Sequence, residues 1–173
     1  MTGATDPRGG VGVAERPSAP PTIDGVLETA LYVTDLDRSV AFFADDLGRP
    51  VLLRNERMAA FDAGRRSVLL LFAQGQSAES MAVPGGVIPG HDGAGRLHMA
   101  FAIADADYGA WRDHLEQRGI ALTSEIRWPG GGRSLYFDDP DGHVIELATP
   151  RPVAELLTDR SVLHEQYTCV ILP

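Results

Sequence analysis

The chain has 173 residues, enough for one domain with a buried core, and its 44% apolar content is that of an ordinary globular protein. A formal net charge of −9 argues against nucleic acid, which needs clustered Lys and Arg, and no run approaches the ~18 apolar residues of a bilayer span. The single cysteine, Cys169, forbids an internal disulfide and suits a reducing cytoplasm.

Residues 1–24 are rich in Gly, Pro and small polar side chains without an apolar centre, so they are expected to be a disordered arm and not a signal peptide. Residues 26–33 then alternate, with Leu27, Thr29, Leu31 and Val33 on one side and Glu28, Ala30 and Tyr32 on the other, which predicts a strand. Asp35 or Asp37 is suited to cap a helix over 36–47, whose Val40, Phe43 and Leu47 share one face and which Gly48 ends. Strands follow over 50–55, 58–62 and 67–72, with Ala63-Gly64-Arg65-Arg66 as the last turn. Residues 73–96, full of Gly, Pro and Ser, read as a crossover linker.

The same order then recurs. Strand 97–103 sets Leu97, Met99, Phe101 and Ile103 against His98, Ala100 and Ala102. Asp105 or Asp107 opens a helix over 108–118 with Tyr108, Trp111 and Leu115 on its core face and Gly119 at its end. Strands over 121–127, 134–138 and 143–148 complete the unit, the last two joined by Asp139-Pro140-Asp141-Gly142, a strong turn signal. The extension 153–173 belongs to neither unit, and its apolar end, Tyr167 to Leu172, is expected to seek a sheet edge or a dimer interface.

The two units are copies. Leu27, Ala30, Asp35 and Asp37 match Leu97, Ala100, Asp105 and Asp107, and Val68 to Leu71 align with Val144 to Leu147. The expected fold is therefore α+β. Two β-α-β-β-β modules, 26–72 and 97–149 within a domain 25–152, pair about a pseudo-twofold axis into a cupped mixed sheet.

Equivalent residues converge across such an axis. Glu28 and His98 correspond, as do Leu70 and Glu146, and strand alternation places Glu28, His98 and Glu146 on the face away from the helices. Two carboxylates and an imidazole brought together need a cation or protons to offset their repulsion. Such donors suit Mn, Ni, Zn, Mg or Fe without selecting sharply among them. In the plainer alternative Glu28 is a rim carboxylate and His98 a hydrogen-bonded pocket histidine. Tyr32 shares the Glu28 face, and Tyr136 lies with Ser134 opposite Arg133, Leu135 and Phe137. Trp128 and Arg133 flank a Gly-rich stretch able to fold over a ligand, with packing and a surface ion pair as the competing roles. His143 is expected to point away from Glu146, and His91 and His114 to face solvent.

The first helix entry Tyr32-Val33-Thr34-Asp35-Leu36-Asp37-Arg38-Ser39-Val40-Ala41-Phe42-Phe43 and the closing Asp139-Pro140-Asp141-Gly142-His143-Val144-Ile145-Glu146-Leu147, set in two such modules, resemble the vicinal oxygen chelate superfamily. That group includes glyoxalase I, bleomycin-resistance proteins, fosfomycin-modifying enzymes and extradiol dioxygenases. The resemblance implies a metal held by Glu28, His98 and Glu146, where Glu28 stands in the place of a His in many members. Leu70 falls where glyoxalase I has a further carboxylate, and the Glu28 change departs from the two-His, one-carboxylate set of iron oxygenases.

The reading that follows is a metal-dependent lyase or isomerase acting on a small vicinally oxygenated metabolite, with Glu146 or Glu28 as base and Tyr32, Arg133, Tyr136 and Trp128 as substrate contacts. The resemblance also implies a homodimer. The alternative is a non-catalytic binder, like bleomycin-resistance proteins, that sequesters a cationic antibiotic.

Overall fold

A computed structural model of the chain describes residues 20–128 and 131–149. The expected C-terminal extension, and the arm as far as residue 19, lie outside the described residues.

The first module runs β1 (Glu28–Val33), α1 (Leu36–Ala41) continuing as a π-helical turn over Phe42–Asp46, β2 (Val51–Arg54), β3 (Met58–Gly64) and β4 (Ser67–Ala73). A short hairpin follows, β5 (Met81–Val83) and β6 (Gly86–Ile88), where the sequence predicts only irregular crossover. The second module is β7 (His98–Ala102), a 3-10 turn over Asp105–Asp107, α2 (Tyr108–Gln117), β8 (Leu122–Arg127), β9 (Arg133–Asp138) and β10 (Val144–Ala148).

Local chemistry explains the boundaries. Asp35 is the cap of α1: its backbone is extended and its carboxylate accepts from the Arg38 amide at 3.0 Å. Gly48 and Gly119 stand at φ +62° and +71° just beyond the two helical segments, a conformation that side-chain-bearing residues avoid.

The duplication is explicit in the strand register. The sheets are ordered β1-β4-β3-β2 and β7-β10-β9-β8, and in each the first strand runs parallel to the last while the other neighbours are antiparallel. Ala30 pairs with Leu70 in one sheet and Ala100 with Glu146 in the other. Within one chain the expected sheet is thus delivered as two four-stranded halves.

One apolar core joins the halves. Leu31, Val33, Phe43, Phe61, Leu69 and Leu71 of the first module merge with Leu115, Leu135, Phe137, Ile145 and Leu147 of the second. Phe42 reaches Phe137 with ring centroids 6.3 Å apart. Each such phenyl ring, taken from water, contributes about 1.5–3 kcal/mol. The helix-facing apolar residues of β1, β4, β9 and β10 are therefore buried, and on the opposite faces Glu28, His98 and Ala100 remain exposed.

A polar joint reinforces the core. Asp141 accepts from the Thr34 amide at 2.9 Å, the Thr34 hydroxyl at 2.5 Å and the Ser39 hydroxyl at 3.0 Å, and pairs with Arg38 at 3.4 Å. Burial opposes its charge, but those hydrogen bonds and Arg38 outweigh it and hold the carboxyl below the usual carboxylate range.

Candidate metal centre

Glu146 sits mid-strand in β10, flanked by β7 and β9. Its register partners are Ala100 and Tyr136, and directly paired residues project to the same side. Ile145 and Leu147 fill the core behind it, which leaves Glu146 no direction but the open face.

One oxygen of the carboxylate is held by a hydrogen bond and the other faces an imidazole. Oε1 accepts from Ser134 Oγ at 2.5 Å, and that hydroxyl accepts in turn from Trp128 Nε1 at 2.8 Å. Oε2 lies 3.4 Å from His98 Nε2. Burial, then the hydrogen bond to Glu146 and its charge, push the Tyr136 phenol up to about 12, so Tyr136 stays protonated at neutral pH. The Tyr136 and His98 rings stack with centroids 6.3 Å apart.

The orientation of His98 decides what this pair can bind. Its Nδ1 lies 3.2 Å from the Val144 carbonyl, which only accepts, so Nδ1 carries the hydrogen. In the neutral ring Nε2 then presents a lone pair toward Oε2, a repulsive arrangement that a cation or a proton between them relieves. The 3.4 Å separation matches the span between two adjacent ligands with metal bonds of about 2.0–2.2 Å. A backbone carbonyl behind Nδ1 is also the usual outer support of a metal-binding imidazole. The Glu146 side chain is 12% exposed and that of His98 52%, so the pair is anchored on one side and open on the other. The residues fit a divalent ion.

Glu28 does not join them within one chain. It lies on β1, which pairs with β4 in the other sheet, and among the described residues no group of three His, Cys, Asp or Glu side chains is placed to hold an ion.

The expected substrate contacts divide. Tyr136 is in the site, and Trp128 reaches its edge through Ser134. Tyr32 is on the open face of the first sheet, its hydroxyl 2.9 Å from His91 Nδ1 and its ring stacked on Phe72. Arg133 needs correction. Strand alternation turns it to the helix side, where it pairs with Asp105 at 2.7 Å and lies 4.1 Å over the Tyr108 ring. His91 and His114 are not simply solvent-facing either, since His114 Nε2 meets the Asp46 carbonyl at 2.7 Å. Ser134, buried beneath the carboxylate, was legible only as the alternation partner of Tyr136.

A crevice of about 470 Å³ between Leu47 and Trp111 lies on the helical side; His114 lines it, and none of Glu28, His98, Glu146 and Tyr136 does. The candidate centre is instead an open sheet face.

Comparisons with known proteins agree with this architecture. The catechol-2,3-dioxygenase of Bacillus subtilis is 30% identical over 131 residues, which are 75% of this chain and 43% of that enzyme, so the chain spans less than half of that relative's length. The metallothiol transferase FosB of Bacillus licheniformis is 29% identical over 126 residues, 72% of this chain and 75% of that one. Among solved structures, lactoylglutathione lyase from Agrobacterium tumefaciens superposes with a TM-score of 0.67 at 33% identity, covering 76% of this chain and 96% of that one. The family model described as Glyoxalase/Bleomycin resistance protein/Dioxygenase superfamily matches residues 25–147, and the chain belongs to that superfamily.

Proposed function

We propose that this chain is a metal-dependent enzyme in which His98 and Glu146 hold a divalent ion, Glu28 of a second copy completes the set in a homodimer, and the substrate is a small metabolite with two neighbouring oxygens. The observation that carries the reading is His98 Nε2 facing Glu146 Oε2 at 3.4 Å, with Nδ1 tied to Val144 and Oε1 tied to Ser134. The relatives are enzymes, which supports catalysis over sequestration.

A second copy is the natural source of Glu28. Each chain carries both halves of the set on open faces, and a twofold axis brings such halves together twice.

The bound ion would supply charge stabilisation for the substrate oxygens. The chain supplies the rest. Tyr136, protonated at neutral pH, donates a hydrogen bond to a substrate oxygen, Trp128 lies at the edge of the opening, and Tyr32 of the second copy arrives there beside Glu28. Glu28, whose carboxylate is exposed, takes the proton in a lyase or isomerase step, because Glu146 Oε1 is already committed to Ser134.

Elemental analysis of untagged protein tests the proposal, beside Glu28→Ala, His98→Ala and Glu146→Gln. About one transition metal per chain, lost in the first two variants, supports it. Absence of metal after soaking with Mn, Ni, Zn and Fe would sink it.

A further inference from the structure

His143 is 1% exposed, although its position after a turn suggests a surface residue. A buried imidazole is tolerated when both ring nitrogens are satisfied. They are. The Leu97 amide donates to Nδ1 at 3.2 Å, and Nε2 donates to the Tyr32 carbonyl at 3.0 Å. An amide only donates and a carbonyl only accepts, so the ring is the neutral tautomer with its hydrogen on Nε2. The main chain around it is fixed as well, since the His143 amide donates to Asp139 Oδ1 at 2.8 Å and the Asp139 amide to the His143 carbonyl at 2.9 Å.

The three anchor points are the informative part. Tyr32 lies on β1, the strand of Glu28. Leu97 immediately precedes His98 at the start of β7. His143 itself opens into β10, three residues before Glu146. One ring therefore ties together the main chains of all three strands that bear the candidate ligands. The Tyr32 carbonyl is available because β1 is an edge strand: the carbonyls of Leu27 and Val33 turn inward to the Val68 and Gln74 amides, and that of Tyr32 turns outward.

From this geometry we infer that His143 is a positioning residue for the centre, pinning the strand of Glu28 to those of His98 and Glu146. The inference rests on the proposed ligand set. Among the described residues no ladder joins β1 to β10, so the two sheets are held in register there by side-chain packing, by the Asp141–Thr34 joint and by this imidazole, which alone reaches the start of β7 as well. A functional site demands placement within about 0.5 Å. In a twofold assembly any error in the angle between the modules is repeated in both sites.

Two variants split the pin. His143→Asn keeps an acceptor near the Nδ1 position for Leu97, and His143→Gln keeps a donor near the Nε2 position for Tyr32, whereas His143→Ala keeps neither. The full chain would be titrated with Zn and Mn, its cobalt spectrum recorded, and its unfolding midpoint measured for each variant. We expect affinity about 10–100-fold lower in His143→Ala, in line with the loss of an outer-shell partner. His143→Asn should retain the cobalt bands of the His98–Glu146 half and lose the contribution of Glu28, and His143→Gln should shift the His98 bands.

Folded Asn and Gln variants with wild-type affinity and unchanged cobalt spectra would overturn the inference. Should the wild-type chain bind no metal, the proposed ligand set fails on its own account. The pin is then judged by imidazole nitrogen shifts and amide exchange: an Nε2-protonated ring with a slowly exchanging Leu97 amide upholds it, and an Nδ1-protonated ring with rapid exchange refutes it.

Discussion

Ser134 donates its hydroxyl hydrogen to Glu146 Oε1 across 2.5 Å while accepting from Trp128 Nε1 at 2.8 Å, so one carboxylate oxygen is fixed before any ligand arrives. This relay links Trp128 to the candidate centre.

Ser134→Ala removes the donor to a charged group and orphans the Trp128 indole. The expected loss is about 1–3 kcal/mol of folding stability, read from the denaturant midpoint. Metal affinity should fall by about tenfold or more, read by calorimetry. A variant unchanged in both would show that the relay is incidental.

Tyr136 should be the last phenol of the metal-free protein to ionise in an ultraviolet titration, at about pH 12. Glu146→Gln should bring that value down by removing the neighbouring charge, and so should added zinc if it binds there. Because the folded value lies above the unfolded one near 10, this contribution to stability is complete below about pH 10 and is lost as pH rises toward 12. Tyr136→Phe should flatten that decline.

Asp141 gives the opposite slope. Its carboxyl is held below the ordinary range, so its contribution is present above about pH 4 and disappears as pH falls through the folded value. Asp141→Asn should cost about 1–3 kcal/mol at neutral pH and make acid unfolding shallower. Asp139, pushed up by burial, titrates with the other sign, so the comparison has to be made against wild type at each pH.

Mixing provides the sharpest check on the shared centre. Equal amounts of Glu28→Ala and His98→Ala chains, each inactive alone, should regain roughly a quarter of wild-type metal sites on subunit exchange, because half the dimers are mixed and each carries one intact site. If the mixture binds no more metal than either parent, the ligands do not come from two chains.

Much of the fold was open to reading from sequence. The Glu28–Val33 and His98–Ala102 alternations, the Asp35 cap and the glycines at 48 and 119 each act within a few residues, where local chemistry decides the outcome. The role of His143 could not be read, because its partner Tyr32 is 111 residues away and strand register alone says only that the ring leaves the Glu146 face. The β5–β6 hairpin escaped notice because three-residue strands with exposed side chains leave no periodic trace among Gly and Pro. The separation of Glu28 from His98 was equally hidden. Two copies of one module offer the same pairing surfaces within a chain and between chains, and alternation patterns are blind to that choice.

Under the proposed ligand set, its division between two sheets makes occupancy a matter of abundance. A lone chain would retain the His98–Glu146 half and grip an ion weakly, whereas assembly would supply the missing carboxylate, so dilution would drive off both partner and ion by mass action. On the proposed reading the cell would tune this catalyst through how much of it is made, with activity rising faster than protein level wherever dimers are scarce.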